Sequence, residues 1–152
     1  MSSNYGKWSG EPEEPMTKAT INVLRDEAKA LQYSTSHSAG LDLVACHVNG
    51  PIYIPVGANA TIHTGISLNL LPDQVAFIFP RSGLGIKYGI VLRNGTGVID
   101  ADYKGEVMVC LQNNGTADYL VDAGERIAQL VITKFERVAN VTVVNKERGT
   151  DG

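Results

Sequence analysis

The run 80–107, PRSGLGIKYGIVLRNGTGVIDADYKGEV, carries side chains suited to a phosphate ester. Pro80-Arg81-Ser82-Gly83 offers a guanidinium fork, a hydroxyl and a glycine amide at consecutive positions. A guanidinium pairs bidentately with phosphate, and a glycine lets backbone N–H groups approach anionic oxygens closely. The bland alternative is a Pro-Arg-Ser-Gly β-turn with a surface arginine. Asn94-Gly95-Thr96-Gly97 reads as a tight turn, poor in side chains, with one amide at its tip. Two carboxylates, Asp100 and Asp102, follow beside Tyr103. On an extended strand they flank Ala101 and share a face, so parity leaves either as the candidate base. Asp102 also reads as a solvent carboxylate beside the turn.

The elements that must position these groups are strands. From Thr20 onward, short apolar runs alternate with Gly, Pro, Asn and Asp, as at 21–24, 41–45, 52–55, 61–64, 66–70, 75–79, 107–111, 127–133 and 141–144. Many short strands with regular turn signals predict an all-β sandwich or barrel. In 107–111, Val107, Val109 and Leu111 fall on one face, and Met108 and Cys110 on the other. Only 82–88 can form a short helical turn, which Gly89 ends. Residues 1–19, rich in Ser, Gly, Pro and Glu, read as a mobile N-terminal arm with Trp8 as its one possible anchor. The β domain spans 20–144, and 145–152 begins a mobile C-terminal arm.

At 152 residues the chain has the length of one domain. A net charge of −3 with few basic runs argues against a nucleic-acid-coating surface, so a polyanionic ligand needs local donors. No stretch of 18 apolar residues and no charged-then-apolar leader occurs, so neither a membrane span nor a signal peptide is expected. Cys46 and Cys110 lie in alternating apolar runs and are expected to be two buried free thiols. That fits a reducing compartment and an intracellular protein, cytoplasmic or nuclear rather than secreted. His37, His47 and His63 are scattered, with no second ligand at a metal-binding interval. So apolar a sandwich, at 43% hydrophobic residues, also invites oligomerisation.

Ser38-Ala39-Gly40-Leu41-Asp42-Leu43, Pro80-Arg81-Ser82-Gly83-Leu84-Gly85, the segment from Gly97 to Gly105 (GVIDADYKG) and the segment from Gly124 to Leu130 (GERIAQL) occur in order. Arg148-Gly149-Thr150-Asp151-Gly152 opens a fifth motif. In these motifs the chain resembles the homotrimeric dUTPases over roughly residues 21–152. The resemblance implies a jelly-roll-like (β-clip) protomer with one short helix, assembled as a three-fold trimer whose active sites are shared between subunits. It also implies hydrolysis of dUTP to dUMP and pyrophosphate by in-line attack of water on the α-phosphorus. That activity limits uracil incorporation into DNA and supplies dUMP for dTMP synthesis.

Within that resemblance Asp100 is the general base, because the position of Asp102 varies in the family. Arg81, Ser82 and Gly83 would contact the phosphate chain, with the Ser82 hydroxyl near the α–β bridge. Gln129 matches a phosphate-facing amide. As it shares a strand face with Ile127 and Val131, a buried structural glutamine competes with that role. Asn94 and the backbone of Gly95, Gly97, Val98 and Ile99 look like the uracil pocket, and Tyr103 like the tyrosine that packs on the deoxyribose and excludes a 2′-hydroxyl. Asp42 resembles an aspartate that binds Mg²⁺ through water, and it equally suits a turn or subunit contact. Arg148 would reach the γ-phosphate. The family's base-capping aromatic lies beyond Gly152, so the chain as written is expected to bind dUTP but turn it over poorly. Two other readings stand beside this one: a dCTP deaminase-like enzyme, for which no matching glutamate is found, and a non-catalytic nucleotide-responsive regulator on the same trimer.

Overall fold

The computed structural model describes residues 18–28 and 31–144. The expected N-terminal arm up to residue 17, with Trp8, and the C-terminal arm with Arg148 lie outside the described residues. Ten strands and one short helix follow in order: β1 (Thr20–Val23), β2 (Leu41–Val44), β3 (Ile52–Ile54), β4 (Asn59–Asn69), β5 (Gln74–Pro80), α1 (Ser82–Tyr88), β6 (Ile90–Leu92), β7 (Gly97–Ile99), β8 (Glu106–Asn113), β9 (Tyr119–Val121) and β10 (Arg126–Lys134).

The strands form one antiparallel sheet in the order β1-β4-β8-β6, a second in the order β2-β10-β5-β7, and a small β3-β9 pair. Alternation in the sequence fixes which faces meet. In β8, Val107, Val109 and Leu111 are buried while Met108 is exposed; in β2, Leu41 and Leu43 are buried. Their apolar faces join those of β4, β5 and β10 in one continuous core that includes Leu43, Ile62, Ile66, Leu68, Ile78 and Leu130. The result is the expected jelly-roll-like sandwich.

The runs 61–64 and 66–70 were expected as separate strands and form one, β4. Its pairing with β8 shifts between His63 and Ser67, at a bulge where Gly65 adopts φ 70°. The run 141–144 is not a strand. Its alternating valines find no strand partner among the described residues, and Val141, Val143 and Val144 stand largely exposed. Both thiols are free, but only Cys46 is buried; Cys110 lies part-exposed on the outward face of β8.

The Glu106 carboxylate closes the bulge. It accepts from Arg25 Nη2 and His63 Nδ1, each at 2.7 Å, and from the Gly65 N–H at 2.9 Å. Burial alone would raise the Glu106 carboxyl, but the hydrogen bonds from His63 and Gly65 and the nearby Arg25 charge hold it below the ordinary 4.5. On acidification the unfolded chain takes up this proton first. The stabilisation is therefore complete above the ordinary value and is lost as pH falls through the lower folded one. Melting curves between about pH 5.5 and 3.5 should show a shallower loss of stability in Glu106→Gln than in the parent.

Candidate functional site

A cleft of about 360 Å³ opens between β7 and the outward face of β4 and β8. Asn94, Gly97, Val98, Ile99, Asp100 and Tyr103 line it, so six of the expected site residues meet there. β5 positions this wall, because Ala76, Phe77 and Ile78 pair with Ile99, Val98 and Gly97. The Ile78–Gly97 match admits no side chain: a Cβ at Gly97 would stand 2.9 Å from Ile78 Cβ. β7 is the edge strand of its sheet, so among the described residues the N–H and C=O groups on its outer side have no strand partner. The preceding turn is closed by Gly95 N–H to Leu92 C=O at 3.1 Å and Thr96 N–H to Asn94 C=O at 2.9 Å. Gly95 sits at its tip, outside the cleft lining.

Parity misplaces the two carboxylates. The strand ends at Ile99, and a turn closed by Tyr103 N–H to Asp100 C=O at 3.1 Å follows. Asp100 and Asp102 therefore do not alternate along an extended chain, and only Asp100 lines the cleft. Its carboxylate is exposed and has no hydrogen bond or ion pair among the described residues.

A second cluster gathers at the junction of β2, β10 and β5. Gln129 stands opposite Asp42 on one side and Phe79 on the other. A register shift at the start of β10 breaks the alternation that would put Gln129 on the face of buried Ile127. Gln129 is half-buried and donates through Nε2 to the Pro80 carbonyl at 3.1 Å. Gly40 leaves the room it needs, since a Cβ there would lie 2.5 Å from Gln129 Oε1. Arg81 follows β5 directly; its Nη1 donates to the Arg126 carbonyl at 3.2 Å and its Nε lies 3.7 Å from Asp42 Oδ1. Ser82 and Gly83 begin α1, whose first N–H groups have no acceptor within the helix. None of Asp42, Arg81, Ser82, Gly83 or Gln129 lines the cleft. Arg126, at 3.5 Å from Asp42 Oδ2, is a member of this cluster that the sequence reading did not single out. Its only local signal was the cation inside the segment GERIAQL.

The dUTPase family model matches residues 26–152. The chain belongs to the dUTPase family. Relatives named deoxyuridine 5'-triphosphate nucleotidohydrolase agree. That of Rickettsia massiliae is 42% identical over 141 residues, covering 90% of this chain and 95% of the relative. That of Rickettsia prowazekii is 50% identical over 107 residues, covering 70% and 72%. Solved dUTPases share the fold. The Staphylococcus bacteriophage 80alpha enzyme superposes with a TM-score of 0.75 at 22% identity, covering 86% of this chain and 98% of its own. A mutant dUTPase of phage phi11 of S. aureus, described with a structural Mg(II) ion, gives 0.76 at 21% identity, covering 84% and 97%. The dUTPase-family match displaces the deaminase-like reading. Among the described residues of this dUTPase-family chain, no helix is long and apolar enough to cross a membrane.

Proposed function

We propose that this chain hydrolyses dUTP to dUMP and pyrophosphate, with water activated by Asp100 attacking the α-phosphorus in line. The observation that carries this reading is the cleft itself: a free carboxylate, Asp100, stands at the end of an edge strand whose backbone is open to a base. Uracil presents acceptor, donor and acceptor along its pairing edge, and the outward-facing N–H and C=O groups along Gly97, Val98 and Ile99 read that order, assisted by Asn94. Cytosine leaves such groups unpaired, which can discriminate by roughly 10⁴–10⁵-fold. Tyr103 packs against the sugar. Asp100 holds and deprotonates the attacking water. Arg81, Ser82, Gly83 and Gln129 bind the phosphate chain and neutralise charge as pyrophosphate leaves. Arg148 reaches the γ-phosphate.

The residues fit Mg²⁺ only in one way. Among the described residues no three His, Cys, Asp or Glu side chains stand together as a metal cage, and Asp42 already faces Arg81 and Arg126. Asp42 suits the outer role of holding water on an ion whose other ligands come from the triphosphate. When bound, Mg²⁺ would neutralise phosphate charge.

Base cleft and phosphate cluster are separate within one chain, which supports a trimer whose sites combine surfaces from different copies. The exposed Val138, Val141, Val143 and Val144 offer apolar surface for that assembly. Light scattering should give three times the 16.3 kDa chain mass, and Val143→Asp should shift it toward the monomer. A monomeric parent chain sinks the shared site.

The activity is tested by pyrophosphate release from dUTP, dCTP, dTTP and UTP with Mg²⁺. Release from dUTP alone supports the proposal. Ammonia from dCTP overturns it, and tight dUTP binding without release from any nucleotide favours a regulatory role.

A further inference from the structure

We propose that Glu106 is a positioning residue for sugar discrimination, acting on Tyr103 through its own backbone carbonyl. This rests on the reading of Tyr103 as the side chain that packs on the deoxyribose. The Tyr103 hydroxyl donates to the Glu106 carbonyl at 2.7 Å, and both residues line the cleft. Gly105 lets the ring fold back, because a Cβ there would lie 2.8 Å from the Tyr103 hydroxyl oxygen and 2.9 Å from Cζ. The ring is thus placed by the peptide that begins β8, which is held to β4 both by its register opposite Ser67 and by the bonds of the Glu106 side chain to the bulge.

That side chain is tied from three directions. Arg25 follows β1, His63 lies on β4, and the Gly65 N–H belongs to the bulge. Oε2 serves Arg25 and His63, and Oε1 serves Gly65, so both oxygens must accept. Thr64, between His63 and Gly65, donates its hydroxyl to the Val107 carbonyl and locks the next peptide of β8 to the same bulge. A glutamine has one acceptor oxygen and one donor nitrogen. Either orientation sets an NH₂ against a donor, which loosens the bulge and moves the carbonyl that holds Tyr103. The base edge on β7 and the phosphate cluster have no part in this network, so the loss should appear in the sugar.

The test is kcat/KM for dUTP and for UTP in the parent, Glu106→Gln, Tyr103→Phe and the double variant. Glu106→Gln is expected to lower the dUTP-over-UTP ratio about tenfold, as small misplacements near a reacting substrate do. The double variant is expected to match Tyr103→Phe in that ratio. If Tyr103→Phe leaves the ratio unchanged, the hydroxyl tether to Glu106 does not govern the ring and this inference falls; the sugar reading of Tyr103 falls with it only if Tyr103→Ala, which removes the ring itself, also leaves the ratio unchanged. If Tyr103→Phe lowers it and Glu106→Gln does not, the inference alone falls. An equal loss from Glu106→Gln in both backgrounds also overturns it, since Glu106 then acts by another route. Should Glu106→Gln not fold, Arg25→Gln removes a single half-exposed donor and is expected to lower the ratio in the same direction by a smaller factor. An unchanged ratio there overturns the inference.

Discussion

Asp100→Asn is expected to lower kcat for dUTP by about 10³-fold, the scale of a lost general base. The substitution is nearly isosteric, and the Asp100 carboxylate carries no structural hydrogen bond among the described residues. Asp100 shapes the turn through its backbone carbonyl, which accepts from Tyr103 N–H, and an asparagine keeps that carbonyl. Melting temperature and dUTP binding should therefore stay near parent values while turnover collapses. An amide cannot take a proton from water at neutral pH, so the defect belongs to the chemical step and should appear undiminished in single-turnover kinetics. A variant retaining most of its rate would remove Asp100 from the mechanism. Asp102→Asn is the matched control, because Asp102 does not line the cleft.

Arg81→Ala is expected to reduce kcat/KM for dUTP by about 10²–10³-fold, as loss of a donor aimed at developing charge does. Arg81→Lys should recover little of it, since an ammonium lacks the planar fork that grips two phosphate oxygens. Arg81 lies outside the base cleft, so preference for dUTP over dCTP should not change even as the rate falls. Arg81→Ala also leaves Asp42 facing Arg126 alone, which makes a modest change in Mg²⁺ dependence part of the same expectation. A variant that kept its rate but lost base preference would contradict the division into cleft and phosphate cluster.

The parts of the fold legible in the sequence are those where burial alternates locally. The 107–111 run declared its faces because Val107, Val109 and Leu111 are each buried by the same core. Strands β6, β7 and β9 were not legible. Each is three residues long, and β9 exists only by pairing with β3, more than sixty positions earlier. The opposite failure is instructive: residues 141–144 alternate as a strand should, yet have no sheet edge to join among the described residues. In the site, residue types and motif order offered the candidates, but not their partition between cleft and cluster. Asp42 and Arg126 meet across 84 positions, a contact no local pattern encodes. The turn at Asp100 likewise follows from a backbone hydrogen bond, not from side-chain spacing, so parity along a strand was the wrong ruler.

The open edge of β7 has a consequence for how this protein behaves at high concentration. A strand edge with bare N–H and C=O groups, proposed to read a nucleobase, is also a template for another polypeptide strand, the usual seed of aggregation. Brevity and charge keep it selective. β7 ends after three residues, a glycine-rich turn breaks the chain on one side, and Asp100 with Asp102 places negative charge on the other. A peptide long enough to add a stable strand runs past both limits, whereas a flat ring one base wide does not. The carboxylate proposed to serve the water is thus also placed as a gatekeeper, and neutralising both aspartates should trade lost activity for a new tendency to self-associate.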